Sequence, residues 1–94
     1  MLPAVLKWNA AVDGNTEKQN LVAKALGSPD KSAAQAVGDL VASLGLPTRL
    51  SDVGITSEAF DDIAEGALLT PWVPKNPRTI SAAKNVMQIL EIAQ

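Results

Sequence analysis

Asn76-Pro77-Arg78, with Trp72 four residues ahead of the asparagine, is where side-chain type and spacing come closest to a chemical site in this 94-residue chain. An arginine guanidinium is a rigid planar fork that clamps a phosphate or a carboxylate through two parallel hydrogen bonds. The same fork can tie a loop to the free carbonyls at a helix C-terminus, and that is the role expected of Arg78 just ahead of a helix. An asparagine before a proline folds its amide back onto the turn, so Asn76 is expected to be architectural too. Trp72 lies on a loop with Pro71, Pro74 and Pro77. An indole there either fills a gap between helices, the favoured expectation, or lines a pocket.

A second constellation is Glu58, Asp61, Asp62 and Glu65, four carboxylates on one face of a helical stretch. A hard cation would need these oxygens to converge with loop carbonyls. General acid/base work would need two of them to flank a cleft. The expectation is a solvated face, with Glu58 favoured near the positive end of the helix. The serines Ser28, Ser32, Ser43, Ser51, Ser57 and Ser81 sit mostly at turns and caps, where hydroxyls satisfy free amides. The chain has no histidine and no cysteine. That removes the imidazole base, the thiolate nucleophile, the disulfide and the usual nitrogen and sulfur ligands for zinc or iron. Within this sequence no catalytic, cofactor-binding or metal-binding residue is expected.

Eight basic side chains against ten acidic ones, with no run of Lys or Arg, argue against a nucleic-acid surface. No apolar stretch approaches the roughly 20 residues needed to cross a bilayer. Met1-Leu2-Pro3-Ala4 lacks the basic start of a signal peptide, and the lack of cysteine suits the cytoplasm, which is the expected compartment. Hydrophobic residues make up 47% of the chain, but only Trp8, Phe60 and Trp72 are aromatic. The core must therefore come from Leu, Val, Ile and Ala, which favour helix in long runs. A compact globule of this size has a radius of gyration of about 12 Å.

Glycine and proline divide the chain into about five helical pieces. The first, Leu2 to Val12, is apolar on most faces and wants burial. Asp13-Gly14-Asn15 signals a turn. The second runs from about Thr16 to Leu26 with a stripe of Leu21, Val22, Ala25 and Leu26, and Gly27 stops it. The third is capped by Asp30 or Ser32 and ends at Gly45, with Ala33, Val37, Leu40, Val41 and Leu44 on one face. Gly38 in its middle points to a close helix crossing. Leu50 to Val53 makes one short turn ended by Gly54. Thr56 or Ser57 caps the fourth helix, which reaches about Leu69 over a stripe of Phe60, Ile63, Ala64, Ala67 and Leu68. The segment from Thr70 to Thr79 is too rich in proline for helix. The fifth helix runs from near Ser81 to Ala93, burying Ala83, Val86, Met87, Leu90 and Ala93. No alternating stretch of convincing length exists, so the chain reads as all-α.

Three segments resemble, in order and spacing, the end of the iron-containing (group III) alcohol dehydrogenases. Leu2-Pro3-Ala4-Val5-Leu6-Lys7-Trp8-Asn9 is similar to a Leu-Pro-x-Val-x-x-x-Asn stretch of that family. Leu44-Gly45-Leu46-Pro47 through Leu50 to Gly54-Ile55 is similar to its Leu-Gly-x-Pro and Gly-Ile connector. Asn76-Pro77-Arg78-Thr79-Ile80 is similar to its approach to the last helix. Together they cover nearly the whole chain. The resemblance implies one helical subdomain over 1–94, the C-terminal fragment of a two-domain enzyme and part of a dehydroquinate synthase-like helical domain. It also implies a parent whose α/β domain binds NAD(P) and whose helical domain binds Fe or Zn through an Asp and three His ahead of this segment. The parent would transfer a hydride between an alcohol carbon and the nicotinamide, with the metal polarising the oxygen. Trp72 falls where some members place a substrate-pocket side chain. Its proline-rich loop also resembles the maleylacetate reductase branch.

On this reading the chain supports an active site without supplying its reactive groups and is inactive alone. It should show an unsatisfied apolar surface, chiefly on the first helix, where the rest of the parent packs or where a second copy associates. The alternative is a self-sufficient helical interaction module whose first helix, with Trp8, is sheltered by its own core. A carrier protein with a phosphopantetheine arm is disfavoured, because the Asp-Ser-Leu attachment triplet is absent.

Overall fold

Proline at the second helical position and a string of Ala, Val and Leu start the first of five α-helices in the computed structural model, which describes residues 1–12 and 14–94. The helices are α1 (Leu2–Asn9), α2 (Thr16–Ala25), α3 (Ala33–Ser43), α4 (Phe60–Leu68) and α5 (Ala83–Ala93). Short 3₁₀ turns occupy Leu50–Val53, Ser57–Ala59 and Val73–Lys75. The described residues contain no strand, so the architecture is all-α.

Helix α1 lies at the centre, packed on α3 and α5; α4 packs on α5 and α2 on α3. The core joins Ala4 and Trp8 of α1, Phe60 and Ala64 of α4, Ile80, and Val86, Ile89, Leu90 and Ala93 of α5. Phe60 and Leu90 are its largest fully buried side chains. The radius of gyration is 13.7 Å, above the value for a sphere-like globule, because the molecule is a slab of 36 × 32 × 18 Å.

The ends of the helices follow local chemistry. The Ser32 hydroxyl accepts the Gln35 amide at 3.1 Å and caps α3; Asp30 does not cap it. Gly54 closes the Leu50–Val53 turn at φ +80°, a region where a Cβ is strained. Helix α5 starts at Ala83, two residues later than expected, because the Asn85 side chain accepts the amides of Ser81 and Ala82, both at 3.2 Å. Helix α1 stops at Asn9 rather than Val12. The Thr70 to Thr79 segment contains one short turn, Val73–Lys75, although no helix was expected there. A proline at the start of a turn costs no hydrogen bond, and Pro74 uses that licence. Of the turn expected at Asp13-Gly14-Asn15, Asp13 lies outside the described residues.

Two expected faces are corrected. Helix α2 buries Gln19 and Ala23, while Leu21, Val22, Ala25 and Leu26 face outward. Ala23 is small enough to let the helices approach closely, and Gln19 reaches the end of α1, donating to the Leu6 carbonyl at 2.9 Å. Helix α3 buries Ala33, Ala36 and Val37, but Leu40 and Leu44 in its second half are exposed. At 1.5 Å per residue the eight residues of α1 are shorter than the eleven of α3, so they cannot cover its whole length. Gly38 does face α1: a Cβ there would lie 4.0 Å from Pro3 Cβ.

Candidate functional site

The C-terminal end of α1 gathers side chains from three other segments. The last turn of any helix leaves carbonyls without intrahelical donors, and burial of such groups is costly unless they are satisfied. Here Gln19 of α2 donates to Leu6 O at 2.9 Å, Asn15 to Asn9 O at 3.1 Å, and Arg78 Nη1 to Trp8 O at 2.9 Å. The Arg78 guanidinium also lies 3.9 Å from the centre of the Trp8 ring, a cation–π contact. The Trp8 indole N–H donates to Gln88 Oε1 of α5 at 2.9 Å. Trp8, 4% exposed, is thus enclosed by apolar neighbours and has its one polar atom matched.

Asn76 locks the loop beside it. Its Nδ2 donates to Asn9 Oδ1 at 2.6 Å and to Arg78 O at 2.7 Å. Asn9 Nδ2 returns the pairing to Asn76 Oδ1 at 3.1 Å. The two amides face each other as a reciprocal pair across 67 residues of sequence. No buried side-chain polar atom among the described residues is left without a partner. Pro77 lies between Asn76 and Arg78 on the exposed side and makes the stiff link that aims both.

Trp72 is elsewhere. It is 76% exposed, so it does not fill a gap between helices. It stands at the rim of an open groove of about 370 Å³ between α1, α4 and α5, lined chiefly by Val5, Ile63, Val73 and Ile80, with Ile89 and Leu90 as its floor. Lys75 is the only charged side chain among the described residues that line it. Loop and helix sequences did not mark Lys75; its signal is its place one residue before the Asn76 turn. Asn9, Trp8 and Gln88 also went unmarked as contact residues, although Asn9 closes the first motif segment and Asn76 opens the last.

Glu58, Asp61, Asp62 and Glu65 are all exposed. Among the described residues no group of three or more Asp, Glu, His or Cys could hold a metal ion. The donor set of the described residues therefore does not fit a metal centre.

The opening helix is better sheltered than expected. Its Ala4, Trp8 and Asn9 are buried, and only Met1 and Leu2 expose large apolar area on it. The most exposed large apolar side chains are Leu69 and Trp72, followed by Leu21, Leu44, Leu2, Val53, Met1 and Leu46, so most of this surface lies off α1. Shielding of Trp8 is the outcome expected of a self-sufficient module. A polar coat, the other half of that expectation, is not found.

These features define a helical segment organised around the end of α1. The model of the Fe-containing alcohol dehydrogenase family, C-terminal, matches residues 1–94, and the chain belongs to that family. It is similar to 4-hydroxybutyrate dehydrogenase from Cupriavidus necator, with 39% identity over 88 residues, covering 88% of this chain and 22% of that protein. It is also similar to the probable alcohol dehydrogenase EutG of Escherichia coli K12, with 37% identity over 84 residues, covering 86% of this chain and 21% of that protein. The chain thus spans little more than a fifth of the length of these relatives. No solved structure matches it.

Proposed function

We propose that the chain is the terminal helical part of a metal-dependent, NAD(P)-dependent alcohol dehydrogenase acting on alcohols, aldehydes or related oxo-acids. The observation that carries this reading is the family match over residues 1–94, joined to the packing of two of the motif segments against each other. Asn9 and Trp8 come from the first segment, and Asn76 and Arg78 from the last. The segment's work is structural: it holds the Asn76–Arg78 loop rigid, and that loop presents Trp72 to the substrate cleft. The metal and the nicotinamide are held by the rest of the protein, which is the chain's principal partner and covers its exposed leucines. Alone, the 94 residues have no dehydrogenase activity. The cytoplasm is the proposed compartment; no helix among the described residues is long and apolar enough to cross a membrane.

The test is a hybrid in which the matched 88 residues of the Cupriavidus necator enzyme are replaced by this chain. With ferrous or zinc ions and NAD or NADP, the hybrid should oxidise its alcohol substrate, and the chain alone should not. Turnover by the isolated chain, or a folded hybrid with no turnover, overturns the proposal.

The second reading, a self-sufficient interaction module, has the shielding of Trp8 in its favour. That observation no longer discriminates. Trp8 is covered by Arg78, Gln88 and α5, all within the same segment, and so would be hidden in either case.

A further inference from the structure

Helix α3 leaves half of its apolar stripe bare. Val37, Leu40, Val41 and Leu44 recur at the spacing of one helical face. Val37 is buried, Val41 is half-buried, and Leu40 and Leu44 are exposed. The start of α1 and the connector after α3 widen this stripe into a face. Met1, Leu2, Val41 and Pro47 line one open hollow, and Met1, Leu46, Pro47 and Val53 line the next. Met1, Leu2, Leu46 and Val53 are each more than half exposed.

Area and charge say what covers it. The chain exposes 6214 Å² for a mass of 9.8 kDa. A compact monomer of that mass exposes about 5,200 Å², so about 1,000 Å² is in excess. A standard interface takes about 800 Å² from each partner, which the excess can supply. From Leu40 to Thr48 no side chain is charged. The Met1 ammonium stands at the border, and the nearby Arg49 and Asp52 neutralise each other. Such a face can meet its own copy without setting like side-chain charges against each other.

We propose that this face is a homodimer contact. The bare half of α3, flanked by Met1–Leu2 and Leu46–Pro47, pairs with the same half of a second copy about a two-fold axis. Pairing needs only the bare area and its lack of charge, so it stands apart from the dehydrogenase reading; the rest of a longer enzyme, where present, takes the same face instead.

Sedimentation equilibrium of the 94-residue protein tests it. The protein should pass from monomer to dimer between about 1 and 500 µM, the range of a modest interface. No larger species should form, since a two-fold contact closes at two copies. Leu40→Lys and Leu44→Lys each place two like charges in the contact and should raise the dissociation constant about tenfold or more. Leu69→Lys, at a still more exposed leucine that lines neither hollow, should leave it unchanged. Circular dichroism checks that the variants keep their helices. As a second measure free of substitutions, the melting temperature should rise with protein concentration. A monomer at every concentration, assembly beyond two copies, a dimer indifferent to both lysines, or one that Leu69→Lys disrupts, overturns the proposal.

Discussion

Arg78 holds Trp8 twice, by a 2.9 Å hydrogen bond to its carbonyl oxygen and by a guanidinium 3.9 Å from the centre of its ring. One side chain therefore satisfies the end of α1 and covers its largest residue. Arg78→Met removes both contacts and should cost about 1–3 kcal/mol, the range for a charged donor lost from a partly buried carbonyl. Arg78→Lys should recover less than half of that, because an ammonium cannot stack and donate in the same plane. Urea unfolding followed by far-ultraviolet circular dichroism measures both. A loss below about 0.5 kcal/mol for the methionine variant, within the range of ordinary surface changes, would remove Arg78 from the account of stability.

The amide pair of Asn9 and Asn76 predicts strong coupling. Each alanine variant strands the opposite amide in a partly buried site, at about 1–3 kcal/mol. The double variant strands neither partner and should cost less than the sum, with a coupling of about 0.5–3 kcal/mol. Asn76→Ala should be the worse single change, since it also frees the Arg78 carbonyl. Additive losses in a double-mutant cycle would show that the pair is not cooperative.

Glycines at Gly38 and Gly54 should respond in opposite directions. At Gly38 a new Cβ meets nothing nearer than Pro3 Cβ at 4.0 Å, an ordinary contact, and alanine favours helix. Gly38→Ala is expected to stabilise by up to about 1 kcal/mol. Gly54 sits at φ +80°, so Gly54→Ala should destabilise by about 1 kcal/mol or more although no atom blocks the Cβ. Thermal melts of the two variants should move apart; a fall in melting temperature for Gly38→Ala would mean that α1 and α3 cannot yield even a methyl's width.

Leucines of equal size should differ by their place alone. Leu90→Ala empties a fully buried position in α5 and should cost about 2–5 kcal/mol. Leu69, 87% exposed just beyond α4, should lose less than about 0.5 kcal/mol on the same change in the isolated chain. In the full-length hybrid, where the proposal has the rest of the enzyme over the exposed leucines, Leu69→Ala should become costly. Identical small effects in both settings would leave that surface uncovered.

Much of the fold was legible, and the reasons are local. The stripe of α4 and the buried face of α5 follow a regular period, and their residues do face the core. Glycine-driven stops at Gly27, Gly45 and Gly54 all adopt positive φ, which the backbone requires there. Hydrophobicity alone does not orient α2 or the second half of α3, whose leucines face outward. Gln19 turns α2 inward through a hydrogen bond to Leu6 O, a tertiary contact that a hydropathy pattern does not contain. Asn9 and Trp8 illustrate the same gap at the site. Their roles depend on partners nearly seventy residues away, and no spacing rule reaches that far. Lys75 became visible only when the turn carrying it was placed against α1, α4 and α5.

Thinness has a consequence of its own. At 18 Å through its shortest dimension, the molecule is less than two helix diameters deep. Such a tile has two broad sides and almost no middle in which a disturbance can die away. Even Phe60 and Leu90, its largest fully buried side chains, therefore lie within about one helix diameter of a broad face.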